Sequence, residues 1–210
     1  MKKKSKDTAS PARRLTDEQI VKIRKGIGAA FAVFGLFTLI ALISYLFTWK
    51  QDQSLILDPA MMDEGTHVSN IAGKVGFKWS VFLIYRMFGL GSFALLPWMI
   101  AVAVRFIAGG WHRSLGKTAL QCLSGAFVAS VVLAMTGILA NAKDAFGAGL
   151  GGQCGAFVVN SCSNLFGPVM ALVLTLLILV GWLFLSSKRF ADWLNGRGIT
   201  YVVVSYRMPC

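Results

Sequence analysis

The chain has 210 residues, 56% of them hydrophobic and 14% charged, with a mean hydropathy of +0.65. A soluble domain carries about 25% charged residues, so this composition excludes an ordinary soluble domain and a disordered chain alike. The formal net charge is +12, and nine of the 21 lysines and arginines fall in the first 25 residues. Such a balance fits either nucleic acid or the cytoplasmic flank of a membrane protein. Lys2, Lys3, Lys4, Lys6, Arg13 and Arg14 lack the interleaved aromatics of a base-stacking platform, which favours the membrane flank.

The first element is a helix start. Thr16-Asp17-Glu18-Gln19 matches a capping box, so LTDEQIVKIRKGI opens a helix that continues into the first uncharged stretch, Gly26 to Trp49. That stretch is too long for a signal-peptide core, and FTWKQDQ after it offers no small-residue cleavage site, so it reads as a retained anchor. Three further stretches can cross a bilayer core of about 30 Å. These are Met87 to Val104 before Arg105, Thr118 to Ala142, and a dense block from Phe166 to Leu185. The expected fold is an all-α polytopic membrane protein with spans at about 26–48, 87–107, 118–141 and 166–187. External loops are expected over 49–86 and 142–165, a basic tail over 1–25 and a second basic tail over 188–210.

Cations set the orientation. The tails and the link between the second and third spans hold 16 of them, among them Arg24, Lys25, Arg113, Lys117, Lys188 and Arg189, against five on the other side when Arg86 is counted there. The positive-inside rule then puts both termini in the cytoplasm.

The first external loop gathers Asp52, Asp58, Asp63, Glu64 and His67. Their spacing matches no metal-ligand motif, and Pro59 and Gly65 interrupt any helix that would align them, so a solvated acidic loop is expected. NIAGKVGFKWSVFLIY then reads as an interfacial segment with Trp79 and Tyr85 near headgroup depth. Gly116-Lys117-Thr118 resembles the end of a phosphate-binding loop, but Trp111 stands where that pattern needs glycine. Gly147, Gly149 and Gly152 fit G-x-G-x-x-G, yet a span rather than a strand precedes them and no acid follows until Asp192. Close packing of the loop explains these glycines better.

Cys154 and Cys162, with seven residues between them in the second external loop, form a candidate disulfide, whereas Cys122 reads as a small apolar residue of the third span and Cys210 lacks a prenylation context. No acid lies inside a span, which argues against a transporter. Pro97 is expected to kink or locally loosen the second span, and Gly125, Ala129, Ser130 and Ala134 give the third span small positions for close packing. No catalytic, cofactor-binding or metal-binding residue is expected.

Two segments together resemble the membrane domain of FtsK/SpoIIIE-type DNA translocases. One is NIAGKVGFKWSVFLIYRMFGLGSFALLPWMIAV, with Asn70, Gly73 and Gly76, then Phe88-Gly89, then Leu95-Leu96-Pro97. The other is GGQCGAFVVNSCSNLFGPVMALVLTLLILVGW, with Gly151, Gly152 and Gly155, then Phe166-Gly167 and a leucine-rich last span. The resemblance covers about Lys22 to Arg189. It implies the anchor and assembly module of a translocase active in cell division and chromosome segregation, in the bacterial inner membrane and enriched at the septum. Its implied partners are the bilayer, copies of itself and division-site membrane proteins, with no direct nucleic-acid site in this chain. Neither Walker motif of the family's ATPase motor occurs in the sequence, so a fragment or a free-standing membrane domain is expected. The alternatives are a small transporter or channel subunit, and a protein that tethers DNA or anionic lipid through its basic N-terminal tail.

Overall fold

The computed structural model describes residues 16–109 and 114–186. Among them there are helices and no strands, and four helical stretches are long and apolar enough to span a membrane: Asp17–Thr48, Gly73–Ile107, Leu115–Leu139 and Pro168–Ser186. Lys2, Lys3, Lys4, Arg13, Arg14, Arg113, Lys188, Arg189 and Cys210 lie outside the described residues.

Helix α1 (Asp17–Thr48) starts where the capping box puts it. The backbone N–H of Gln19 donates to Thr16 Oγ1 at 3.4 Å, and Gln19 Oε1 accepts from the backbone N–H of Thr16 at 2.9 Å. These bonds satisfy amides that a helix start leaves without partners.

The next helical stretch is not one straight rod. It comprises α2 (Gly73–Ser80), a π-helical segment (Val81–Phe88), a 3₁₀ segment (Gly89–Leu95) and α3 (Leu96–Ile107). A straight helix over its 35 residues would reach ~52 Å. The residues of α1 that its two ends touch are much closer together. Ile71 N–H donates to Ser44 Oγ at one end, and a Cβ on Gly28 would lie 2.7 Å from Ile107 Cγ1 at the other, a separation of ~24 Å along α1. The excess is taken up at Met87 (φ −96°, ψ −109°) and Gly89 (φ +60°, ψ −137°).

Contacts show where the chain goes in between. Trp79 Nε1 donates to Thr38 Oγ1 at 3.1 Å, well inside α1. Six residues later Tyr85 is back beside Gly147 and Ile56 of the loops. The α2–π segment therefore crosses α1 without carrying the chain through the bilayer. The 3₁₀ segment and α3 make the crossing, with nineteen residues and a length of ~30 Å. Helix formation thus begins at Gly73, inside the expected external loop. Pro97 sits in the first turn of α3, where its missing N–H is harmless, and it kinks no helix there.

Helix α4 (Leu115–Leu139) runs back across the membrane. The segment expected as a second external loop contains another helix, α5 (Gly152–Phe166), which turns at Gly167 into α6 (Pro168–Ser186). Helix α6 packs along α4, with Trp182 Nε1 donating to Ser124 Oγ at 2.9 Å and the Trp182 ring covering Gly125.

The acidic loop is exposed as expected at Asp58, Asp63, Glu64 and His67, and differs at Asp52. Asp52 is only 2% exposed and both its carboxylate oxygens accept the Ser69 N–H at 3.0 Å, while Asp58 accepts the Ala60 N–H at 2.8 Å. Asn70 finishes the loop. Its Nδ2 donates to Ala41 O of α1 at 3.1 Å and its Oδ1 accepts the Ala72 N–H at 2.9 Å. Replacing Asn70 by Ala leaves the buried Ala41 carbonyl without this donor, and the expected loss is about 1–3 kcal/mol. Thermal unfolding of the detergent-solubilised Asn70→Ala protein should show it as a clearly lowered midpoint.

Candidate functional site: a glycine-lined helix crossing

The interior is densest where three backbones meet. The break at Phe88–Gly91, the turn at Gly149–Gly152 that opens α5, and the Ala126–Ala134 face of α4 pack with little between them but main chain. Leu90 N–H donates to Leu150 O at 2.9 Å. Gly152 has φ +68°, and a Cβ there would lie 2.5 Å from Ile84 O and 2.6 Å from Gly89 N. Positive φ and lack of space both demand glycine at this position.

Helix α4 supplies the floor. A Cβ on Gly91 would sit 2.6 Å from Ala126 O, and a Cβ on Gly151 would sit 2.7 Å from Ala134 N. Gly155 faces Ser130. The Ser130 hydroxyl is fully buried and donates to Gly151 O at 2.6 Å. On the far side of the break, the buried Ser92 hydroxyl donates to Leu83 O at 2.5 Å, taking a carbonyl of the π-helical segment. Val159 of α5, Val131 and Met135 of α4 and Ala171 of α6 close an apolar cluster beside the crossing.

Phe88, Gly89, Gly151, Gly152 and Gly155 are thus brought to one place. Asn70 and Gly76 form a second contact, against Ala41 of α1, where a Cβ on Gly76 would lie 3.4 Å from the Ala41 methyl, whereas Gly73 opens α2 at φ +68° and faces open space. Gly167 (φ +85°) forms the corner between α5 and α6. Arg24, Lys25 and Lys117 are exposed and belong to neither contact.

Cys154 and Cys162 do not pair. Both are free thiols on α5, and eight residues of helix separate their Cα atoms by ~12 Å, whereas a disulfide needs about 4.4–6.8 Å. Gly116, Lys117 and Thr118 form the first turn of α4, with Thr118 Oγ1 donating to Ser114 O at 3.2 Å. Among the described residues no three His, Cys, Asp or Glu side chains converge as metal ligands. The crossing itself carries two serine hydroxyls, each already bonded to a carbonyl. This arrangement packs α4 and the start of α5 against the break in the second helical stretch.

One signal that the sequence reading passed over is a repeat. Gly73-x-x-Gly76 is followed by Phe88-Gly89, and Gly152-x-x-Gly155 by Phe166-Gly167. In the structure each copy begins on a glycine at φ +68°, runs as a helix, and breaks at a glycine of positive φ (+60° and +85°) before the helix that follows. Comparing the two segments with each other would have placed α5 and the early start of α2.

The fold and this crossing define a multi-pass helical membrane protein built on close backbone packing. The family description "4TM region of DNA translocase FtsK/SpoIIIE" matches residues 22–196. The chain belongs to this family, and the matched region is the family's membrane part, distinct from its ATPase motor. No curated protein and no solved structure matches the chain.

Gly155→Ala should push α5 off Ser130 and lower the unfolding free energy by about 1–3 kcal/mol. Gly181→Ala faces open space and should be neutral or slightly stabilising. Unfolding in detergent compares the two. Thiol titration of the denatured protein should return the same number of cysteines with and without reductant.

Proposed function

We propose that the chain is the anchor and assembly module of an FtsK-like DNA translocase, resident in the bacterial cytoplasmic membrane and concentrated at the division septum. The observation that carries this reading is the family match over most of the chain, which falls on the membrane region of translocases that move DNA. The architecture supports it. Four spans pinned by main-chain packing suit a rigid mount, and the crossing presents hydroxyls that are already bonded instead of the ionisable groups on which proton or ion relays depend. In this reading both ends of the membrane domain face the cytoplasm, as 16 cations against five favour. Force from a cytoplasmic motor would enter through the inner ends of α1 and α6, and the crossing would keep α4 and α5 from shearing away from the second span. Copies of the chain and other division-site membrane proteins are its proposed partners.

Two measurements test this. In a background lacking the native cysteines, Glu64→Cys should react with a membrane-impermeant maleimide in intact cells, and Lys25→Cys only after permeabilisation; the opposite pattern contradicts the orientation. A fluorescent fusion should concentrate several-fold at the septum of dividing cells, and a uniform membrane distribution contradicts the division-site assignment.

A further inference from the structure

The loop side of the domain carries a groove of about 320 Å³ between the segment Ile56–Met62 and the outer face of the α2–π helix. Its walls are apolar, including Met61, Phe77, Val81 and Phe82. Two cations also line it, Lys78 and Arg86. Both are exposed, and neither makes an ion pair or hydrogen bond with any described residue. Among the described lining residues Asp58 is the single acid, against the two cations, and it already accepts the Ala60 N–H.

Its depth is fixed by neighbours. Tyr85 precedes Arg86 and sits against Gly147, beside the Trp49–Phe146 ring pair at the loop end of α1. Such a cluster of Trp and Tyr marks the interface between hydrocarbon and headgroups. An arginine and a lysine without a partner among the described residues, flanked by an apolar wall with Phe82 43% exposed, match a phosphate joined to acyl chains. We infer that this groove binds the headgroup of an anionic phospholipid in the leaflet on the loop side, with Lys78 and Arg86 holding its phosphate and Val81 and Phe82 lying along the chains. The site is separate from the basic N-terminal tail, and the inference stands whichever way the protein is oriented.

The full chain, exchanged into mixed vesicles of phosphatidylglycerol and phosphatidylcholine and then re-extracted, should retain phosphatidylglycerol in preference. Retention should fall about tenfold in Lys78→Gln/Arg86→Gln and persist in Lys78→Arg/Arg86→Lys. A phosphatidylglycerol with a photoreactive headgroup should label the wild-type peptide containing Arg86, a readout that depends on no variant. Equal retention by wild type and the Gln variant, or labelling confined to other peptides, overturns the inference. Displacement of the lipid by high-millimolar inorganic phosphate would identify a soluble anion site and overturn the lipid assignment, whereas resistance to phosphate supports it.

Discussion

The Ile84 carbonyl, the Gly89 amide and the main chain at Gly152 lie so close that no side chain fits between them. This approach determines the other main features of the domain. Because the α5 turn presses on the break after Phe88, the chain must change direction there, and the 3₁₀ segment with α3 becomes the crossing element in place of a straight 35-residue helix. Because Gly151 and Gly155 press on Ser130, α5 lies on α4 and delivers the chain to α6 at Gly167. Apolar side chains give little preference for neighbours over lipid tails, so association inside a bilayer depends on such close approach and on hydrogen bonds.

Hydrogen bonding imposes the second constraint. A π-helical stretch joined to a 3₁₀ stretch frees backbone groups at membrane depth, where each one left without a partner costs several kcal/mol. The fold answers with Leu90 N–H to Leu150 O, the Ser92 hydroxyl to Leu83 O and the Ser130 hydroxyl to Gly151 O. Asn70 does the same where the loop meets α1. These few polar residues hold irregular backbone in place, which is why they are found at the break and at the turns.

Helix content and the number of spans were legible because uncharged runs of about 20 residues have few other physical outcomes. The capping box at Thr16 was legible because its partners are local. Non-local packing was not. Close packing was expected of Gly152, and the structure shows it, but the backbones that it meets, at Ile84 and Gly89, arrive from elsewhere in the chain and could not be named from the sequence. Glycine-rich GAGLGGQCG looked like a loop, yet α5 forms from Gly152 onward because its small face is packed on Ser130 and Val131, and tertiary contact overrides propensity there. Cys154 and Cys162 looked pairable for as long as that segment was taken for a loop. The partner of the Trp79 indole was not legible either, because Thr38 lies 41 residues away.

The most direct test of the crossing is a distance measurement across it. In a background without native cysteines, Leu90→Cys paired with Leu150→Cys should be joined within one chain by a short bifunctional thiol reagent, since their backbones share a 2.9 Å hydrogen bond. Leu90→Cys paired with Leu185→Cys, at the opposite end of α6, should not be joined. Efficient linkage of the first pair alone is the predicted result, and failure of that pair in protein that remains folded would contradict the account.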